Sequence, residues 1–313
     1  MAGLGCTEKA STYLSARTLG LIFDMIFYIL FAIVFWASSF VAIRAAIVEF
    51  SPIEIAVLRF VTSSIALIPI VIIQKVSLPG KKSVKFFIQI GIVLFINQIM
   101  LNYGAQTITA GETTLLVSTS QIFQVLLAYI FLRESLSNRF IFGLFLCFVG
   151  VAIIALQNSF RLSLNPGVFF VLIAALTNAI YFIMQKPLLK NFSPLAVVGY
   201  STWITTVFLV PFGDSAIKKL SVSSVNGVFS VVYIGVATVI ANVFWSKVLS
   251  KMDASKAAVY LYVVPLMTIL IGFIWLKELP TALSCLGGVI ILAGVILSNF
   301  KTQKATKGHN YRH

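Results

Sequence analysis

Ten long apolar segments constrain the fold of this chain more than any other feature of the sequence. Each holds about 20 mostly apolar residues bounded by charge, proline or glycine, which is the length that a helix needs to cross a bilayer. The runs are continuously apolar, whereas strands of a barrel would alternate, so they predict helices. The segments are 21–46, 53–74, 86–106, 111–132, 139–157, 167–187, 194–212, 226–249, 255–276 and 281–300.

The composition agrees with an all-α integral membrane protein. Of the 313 residues, 59% are hydrophobic and only 10% are charged, which excludes a soluble globular protein because such proteins are about 25% charged. Only 75–85, 158–166 and 213–225 form loops of any length, so a soluble catalytic domain has no place in the chain. The first segment lacks a cleavage pattern behind it and predicts an uncleaved span.

The basic residues predict the orientation in the membrane. Lys and Arg number 23 against 9 Asp and Glu, a formal net charge of +14. They are spread singly between apolar runs, which argues against a nucleic-acid surface. If the N-terminus is cytoplasmic, 17 basic residues lie inside and 6 outside. Cytoplasmic loops carry the excess of Lys and Arg, so both termini are expected in the cytoplasm and the chain in the cell inner (plasma) membrane.

The sequence contains no pattern of a metal, cofactor or enzyme site. Cys6, Cys147 and Cys285 lack CxxC spacing, and His309 and His313 both lie in the C-terminal tail. A phosphate-binding glycine loop and a Ser-His-acid arrangement are also missing from the sequence. We therefore expect neither a cofactor nor an enzymatic activity.

The two halves of the chain resemble each other. A shift of 142 residues superposes Phe50-Ser51-Pro52 on Phe192-Ser193-Pro194, and a shift of 144 superposes Glu134 on Glu278. Each half holds five predicted spans, an odd number, so the two copies would enter the membrane from opposite sides. Inverted repeats of this kind are typical of secondary transporters, although some channels and scaffolds also use them. The predicted organisation is a cytoplasmic segment 1–20, repeats 21–157 and 167–300, and a cytoplasmic tail 301–313.

Several of the matched residues have structural roles. Ser51, Pro52 and Glu54 predict a capping box at the start of the second span, and Ser193 with Pro194 predicts a similar start. Two glycine pairs recur seven residues apart, which places both members on one helix face and predicts packing seams: Gly143 with Gly150, and Gly287 with Gly294.

These motifs resemble those of the EamA family of the drug/metabolite transporter superfamily. The resemblance rests on the segment FWASSF at 35–40, on Ser51-Pro52 followed by Arg59, and on Leu-x-Glu at 132–134 and 276–278 followed by glycines seven apart. It covers about residues 21–300 and implies two five-helix repeats. Members of the family export or import amino acids, sugars, nucleotide-linked metabolites, S-adenosylmethionine and drugs, so the resemblance does not specify a substrate. The second half has Ser201 in place of Arg59, which puts equal roles for the two copies in doubt.

Polar and aromatic side chains near the centres of spans are the candidate substrate-binding residues, because a polar group in mid-membrane requires a partner or water. Amides, hydroxyls and aromatic rings together suit a zwitterionic or polar-aromatic solute. The alternative is that the amides only join helices by hydrogen bonds. The candidates are Trp36, Ser39, Gln98, Asn102, Gln121, Gln124, Asn178, Tyr181, Asn242 and Trp245, with Asn97 and Gln185 beside them.

Three further residues are candidates for coupling, gating and recognition. Glu112 begins the fourth span and is the candidate proton site. Pro265 interrupts the ninth span, leaves the Leu261 carbonyl without its helical donor and predicts a kink, either a gate hinge or a static bend. Arg59 either attracts a substrate carboxylate or extends to the interface. Glu134 and Glu278 are expected to cap helices or to pair with nearby basic residues.

The sequence thus predicts an alternating-access transporter of small polar metabolites, amino acids or related compounds, acting as an exporter. An importer or exchanger, for example of nucleotide-linked compounds or S-adenosylmethionine, shares the same fold. A membrane scaffold or lipid-handling protein is the alternative from another class. The expected partners are a small solute, membrane lipid and, as a candidate coupling ion, the proton; the sequence leaves a monomer and a homodimer open.

Overall fold

The computed structural model describes residues 4–76, 79–105, 110–156, 166–276 and 281–299. Within these ranges, it leaves out the side chains of 4–22, 44–45, 81–82, 105, 110–115, 154–156, 275–276, 284 and 299. The described residues form helices and turns, and none of them forms a strand. The α-helices are α1 Leu4–Ala46, α2 Pro52–Ile73, α3 Lys81–Ala105, α4 Ala110–Leu132, α5 Asn138–Leu156, α6 Pro166–Leu188, α7 Pro194–Leu209, α8 Gly213–Leu220, α9 Val225–Lys251, α10 Ala254–Tyr260, α11 Val263–Leu276 and α12 Ala282–Asn299.

The prediction of an all-helical membrane protein agrees with these elements. Seven helical stretches in the described part are long and apolar enough to cross a membrane. Three shorter apolar stretches occupy the other predicted segments: Leu116–Leu132, Asn138–Ile153 and Cys285–Ser298. The count of ten spans therefore stays a prediction.

Three boundaries differ from the prediction. Helix α1 extends to Leu4, because no proline interrupts 4–46, and its apolar part is Phe23–Ile43. The predicted loop 213–225 contains helix α8, in which Asp214 and Lys218 form an i, i+4 ion pair of 2.6 Å. The ninth predicted span is divided into α10 and α11 by a turn at 261–262.

The predicted helix starts are confirmed. Ser51 Oγ accepts the Glu54 N–H at 3.4 Å, and Glu54 Oε2 accepts the Ser51 N–H at 2.8 Å, which completes the capping box. Ser193 Oγ accepts the Ala196 N–H at 3.2 Å, with Pro194 at the first helical position. Two backbone N–H groups at the start of α2 and one at the start of α7, which have no partner within the helix, are satisfied in this way.

The predicted glycine seam is also confirmed, between α5 and α12. A methyl group on Gly143 would lie 2.7 Å from the Gly294 carbonyl oxygen, and one on Gly150 would lie 2.7 Å from the Gly287 carbonyl oxygen. Rising residue numbers on α5 face falling numbers on α12, so the two helices are antiparallel. Only glycine allows the two backbones this close approach.

Most of the other large helix contacts join the first half of the chain to the second. Helix α1 packs on α9 and α11, α2 on α7 and α9, α3 on α6 and α7, and α4 on α6 and α10. The largest buried cluster lies among these helices and includes Trp245, Tyr181, Phe87 and Phe50. The interior is therefore built by the two halves together.

Candidate functional site

An aromatic cluster occupies the interior where α1, α6 and α9 meet. The ring centroids of Trp36 and Trp245 are 5.6 Å apart, and Phe182 lies 6.2 Å from both. Tyr181 is buried beside Phe182, at 5.4 Å. Trp245 is fully buried, and its indole N–H lacks a hydrogen-bond partner among the described residues. The structure thus brings together three of the predicted site residues, Trp36, Tyr181 and Trp245.

Hydroxyl and amide groups join the same helices around this cluster. Ser246 Oγ donates to Gln185 Oε1 at 2.7 Å, and both side chains are buried between α9 and α6. The Tyr233 hydroxyl lies 2.8 Å from Ser38 Oγ on α1. Sequence analysis missed Ser246 and Ser38 as partners, because serine is common in membrane helices and its helical spacing carries no distinct signal.

The amides of α3 contact α6 instead of the aromatic rings. Asn97 Nδ2 donates to the Ala174 carbonyl at 2.7 Å, and Gln98 Nε2 donates to Asn97 Oδ1 at 3.1 Å. Asn102 Nδ2 is buried without a partner among the described residues. Asn97 therefore joins two helices, whereas Asn102 retains a free donor.

The amides of α4 are directed toward α10 and toward their own helix. Gln124 Nε2 donates to the Ala254 carbonyl at 2.9 Å, so this buried amide joins the two helices. Gln121 is buried, and its Oε1 accepts from Ser120 Oγ at 3.2 Å.

The three other predicted residues have different surroundings. Ser39 is buried, and its hydroxyl donates to the Trp36 carbonyl in the preceding turn, at 2.7 Å. Asn178 on α6 and Asn242 on α9 are half-buried and retain accessible surface. The predicted residues thus divide into three groups. Gln124 joins two helices, whereas Ser39, Gln98 and Gln121 bond within their own helices. The others have free donors or accessible surface.

Arg59, which is not among the ten candidate substrate-binding residues, forms a polar contact across the bundle. Its Nε donates to Thr238 Oγ1 on α9 at 2.8 Å, and Thr238 donates in turn to the Ile234 carbonyl at 2.6 Å. Nearby, Ser63 Oγ donates to the Gly235 carbonyl at 2.8 Å. Of the two alternatives for Arg59, extension to the interface does not agree with this contact, since Nε donates to the middle residue of α9.

Glu134 joins the end of α4 to the start of α10. Arg133 has φ +54° and turns the chain out of the helix, which directs Glu134 to the new partner. The Glu134 carboxylate accepts the N–H groups of Ala254 and Ser255, each at 2.8 Å, and the Ser255 hydroxyl at 2.5 Å. Glu134 therefore caps a helix, as expected, but a helix 120 residues away.

Lys186 caps the C-terminal end of α9, where its ammonium group donates to backbone carbonyls. Its Nζ donates to the Leu249 carbonyl at 2.6 Å and to the Met252 carbonyl. A cation is favourable at the C-terminal end of a helix, where carbonyl groups lack helical donors. Glu134 and Lys186 thus bind the two ends of the turn between α9 and α10. This role of Lys186 was not predicted, because no local sequence signal links it to residues 63 and 66 positions away.

The predicted kink near Pro265 is present as a break between α10 and α11. The Leu261 carbonyl is not left without a donor, because the Val264 N–H bonds to it at 3.1 Å. Pro265 is the third residue of α11, within the first turn, where its missing N–H costs little. The side chains of Glu112 and Glu278 lie outside the described part of the structure.

A shallow surface groove lies apart from these polar groups, at the N-terminal end of α9. It is lined by Ser223, Val225, Val228, Phe229 and Val232 and contains none of the predicted site residues. Among the described residues, no cluster of His, Cys, Asp or Glu is suited to a metal ion. The buried aromatic rings and amides and the half-buried Arg59 side chain lie elsewhere, in the interior.

Comparison with known proteins identifies the family. The EamA-like transporter family matches twice, over residues 24–156 and 165–300. The uncharacterized transporter YdfC of Bacillus subtilis is 32% identical over 87% of this chain and 90% of its own. A probable terminal-alkyne amino-acid exporter of Streptantibioticus cattleyicolor is 30% identical over 86% of this chain and 91% of its own.

More distant similarities agree with this result. A probable amino-acid metabolite efflux pump of Salmonella typhimurium is 23% identical over 88% of this chain and 94% of its own. A solved crystal structure with 15% identity matches the fold with a TM-score of 0.75, covering 88% of this chain and 96% of the other. The apolar helices, the buried polar interior and both family matches lead to one conclusion: this multi-pass membrane protein belongs to the EamA-like transporter family.

Proposed function

We propose that the protein is a secondary transporter that exports amino acids or related small polar metabolites by alternating access. Two relatives are named for amino-acid or amino-acid metabolite export, and both span most of this chain. The interior contains aromatic rings, amides and hydroxyls, which suit an amphoteric solute with an apolar side chain. In this proposal the solute is contacted by Trp36, Gln121, Asn178, Tyr181, Asn242 and Trp245.

The observation that carries the proposal is that residues related by the repeat contact each other. Ser64 Oγ lies 2.7 Å from Thr206 Oγ1, and the two are 142 positions apart, the shift that superposes the halves. Cys147 Sγ lies 3.6 Å from the Ile291 carbonyl, and these are 144 positions apart. A residue meets its own equivalent only on a two-fold axis, so both contacts support a two-fold relation between 21–157 and 167–300.

The helix contacts support the same relation. In the repeat, α1, α2 and α3 correspond to α6, α7 and α9, and α4 corresponds to α10 and α11 together. The contacts α1–α9, α1–α11 and α2–α9 therefore have the equivalents α6–α3, α6–α4 and α7–α3. All six contacts occur. The antiparallel α5 and α12 are themselves an equivalent pair. Ten spans in two inverted halves account for these contacts, and such halves can move about their shared axis to open the interior to either side.

In the proposed orientation, the protein lies in the cell inner (plasma) membrane and both termini are in the cytoplasm. The charge bias of the sequence supports it. The turn between α9 and α10, which Glu134 and Lys186 hold, then faces the cytoplasm. In this arrangement Glu134 joins the halves on the cytoplasmic side, and Glu49 joins them on the other side through Ser224.

Solute counterflow in proteoliposomes tests the proposal. The vesicles contain unlabelled amino acids, nucleosides and S-adenosylmethionine, and uptake of each labelled solute is measured with and without a pH gradient. Wild type is compared with Gln121→Ala, which alters a buried amide, and with Gln89→Ala, which alters an exposed amide on α3. We expect exchange of amino acids that Gln121→Ala lowers at least tenfold and Gln89→Ala leaves unchanged.

The outcomes separate the alternatives. Exchange restricted to nucleosides or S-adenosylmethionine would replace the amino-acid assignment by the exchanger alternative. Stimulation by a pH gradient would support proton coupling and make Glu112 the next residue to substitute. If folded protein exchanges none of the solutes, the transporter proposal fails and a scaffold or lipid-handling role takes its place.

A further inference from the structure

Arg59 is directed into the bundle and away from the lipid. The exposed residues Ile65, Ile68 and Ile72 lie on one side of α2, and the exposed Ile70 and Ile73 on the other side are confined to its C-terminal end. At 100° per residue, Arg59 falls on the opposite side, together with the buried Ser63. The Arg59 side chain is half-buried and retains some accessible surface. Its charge is therefore presented to the interior between α2 and α9.

The guanidinium lies at mid-depth in the bundle. Its partner Thr238 is the middle residue of α9, which has 27 residues, so each end of that helix is about 20 Å away. The backbone of Arg59 lies beside Gly235, and the side chain extends from there by almost one turn along α9 toward Thr238. Arg59 is the eighth residue of α2, about 10 Å along the helix from its start, and its side chain leads from there toward the middle of α9.

This central charge has no counter-ion in the described part of the protein. The described ion pairs join Lys218 to Asp214 and Lys256 to Asp253, and neither includes Arg59. One neutral hydroxyl accepts from Nε, which leaves the four N–H bonds of the terminal nitrogens for another acceptor. An unpaired charge at this depth is unfavourable, and such residues in membrane proteins mark solute or ion sites.

A second free donor lies on the same face of α9. Trp245 follows Thr238 by seven residues, which is two helical turns, and Asn242 follows it by four. The indole N–H of Trp245 is fully buried without a partner among the described residues. A site with an arginine fork and a free indole N–H, but without a described acidic group, favours a ligand that supplies acceptors and negative charge.

We propose that Arg59, positioned by Thr238, binds the carboxylate group of the transported solute at the centre of the bundle. The inference deepens the transport function proposed above and rests on it. It narrows the substrate class to small carboxylates, amino acids among them, and places their recognition on α2 and α9. The apolar part of such a solute then packs against the Trp36 and Trp245 rings.

Charge-selective cysteine labelling tests the site without any need for transport. The parent is the full chain with Cys6, Cys147 and Cys285 replaced by alanine, reconstituted in liposomes. Asn242→Cys is the reporter one turn from Thr238, and the exposed Asn226→Cys on the first turn of α9 is the matched control. The probes are the anionic sulfonatoethyl and the cationic trimethylammonioethyl methanethiosulfonates. The anionic-to-cationic rate ratio is divided by that of free 2-mercaptoethanol.

With Arg59 present, we expect this normalised ratio at Asn242→Cys to exceed 1 by about tenfold or more, because a nearby cation in a low-dielectric site attracts the anion and repels the cation. Arg59→Gln should remove the excess and Arg59→Lys should restore most of it, while neither changes the ratio at Asn226→Cys. A ratio that Arg59→Gln leaves unchanged overturns the proposal. Failure of both reagents to react at Asn242→Cys also overturns it, since the site must admit a solute.

Counterflow by the same cysteine-free parent separates this inference from the proposed function. If amino acids exchange but the labelling ratio is independent of Arg59, the transporter stands and the carboxylate site does not. If the labelling ratio depends on Arg59 but no solute exchanges, the anion site is supported and the proposed transport function is rejected. A substitution that prevents folding is recognised by its elution in size-exclusion chromatography, and the uncharged Arg59→Met then replaces Arg59→Gln in the comparison.

Discussion

The α5–α12 seam and the polar interior join the same two halves by different physical means. In the seam, glycines bring backbones into direct contact, and the neighbouring buried side chains are mainly apolar, such as Val151 and Ile291. In the interior, which we define as the contacts among α1, α2, α4 with the residues that follow it, α6, α9 and α10, polar side chains also join the halves. Its contacts include Arg59 with Thr238, Gln124 with Ala254, Glu134 with Ser255 and Tyr233 with Ser38.

The difference indicates which contacts can open. Separation of the seam would expose close-packed backbones and lose van der Waals contact that lipid cannot replace in the same geometry. Separation of the interior exchanges protein hydrogen bonds for bonds to water or solute, at a net cost of about 1 kcal/mol each. We therefore expect the seam to persist while interior contacts break during transport.

Closer packing at the seam should produce the largest loss of stability. The double variant Gly143→Ala with Gly150→Ala would place each new methyl group 2.7 Å from a backbone oxygen of α12, so the helices must separate. The free energy of unfolding, measured by denaturant titration in micelles, should fall by about 3 kcal/mol. Gly199→Ala is the control, because its methyl group would be 3.7 Å from the Val71 side chain. Equal stability of both variants would contradict a rigid seam.

Removal of the carboxylate that caps α10 should have the next largest effect. Glu134→Ala deletes three acceptor contacts and leaves two backbone N–H groups unpaired, which should cost about 2 kcal/mol in unfolding free energy. The exposed capping-box residue gives the control, since Glu54→Ala should cost about 1 kcal/mol or less. A smaller loss for Glu134→Ala than for Glu54→Ala would show that the α4–α10 contact does not hold the halves together.

The Tyr233–Ser38 bond measures how strongly a polar interior contact joins the halves. We expect a coupling energy of about 0.6 kcal/mol in a double-mutant cycle of Tyr233→Phe and Ser38→Ala, because interhelical bonds in membrane proteins average that value. The cycle uses unfolding free energies in the same micelles. A coupling above about 2 kcal/mol would make this contact as resistant to opening as the seam and remove the distinction between the two regions.

The smallest effect should come from an exposed contact outside both regions, between Glu49 and Ser224. Hydrogen bonds from the Ser224 hydroxyl at 2.5 Å and from its N–H at 2.8 Å lower the pKa of Glu49, with Lys219 adding to the effect and desolvation opposing it. A lowered pKa means that the contact stabilises the fold above the ordinary value of 4.5 and is lost as pH falls through the folded value. The melting-temperature difference between wild type and Glu49→Gln should therefore shrink between pH 6 and about pH 3. A difference that grows toward acid pH would contradict the assignment.

Sequence patterns predicted the helices well and their partners poorly. Apolar length, Ser51-Pro52 and the glycine pairs are local signals, so the helix starts at 52 and 194 and the seam glycines agree with the structure. The predicted loop 213–225 was wrong, because one i, i+4 ion pair is a weak signal for a short helix. Glu134 was expected to cap or to pair locally, but its partners lie in the other half of the chain.

For the candidate site, residue type could be predicted but orientation could not. The list of polar and aromatic side chains near span centres includes Trp36 and Trp245, which meet in the interior, yet Gln124 from the same list joins α4 to α10. An amide on a helix face bonds to whichever backbone group lies opposite, and that depends on the neighbouring helix. Arg59 was left with two alternatives for the same reason, since a long side chain can extend in either direction from the helix.

By itself the sequence determined that this chain is a helical membrane protein, where its helices begin and which glycines lie at an interface. Those properties follow from apolar length, capping residues and helical period, which are local. Only the tertiary structure decided that Glu134 caps α10, that Lys186 caps α9 and that Arg59 meets Thr238 at mid-depth. Each of these contacts joins residues more than 60 positions apart, so its geometry exists only after the helices have packed.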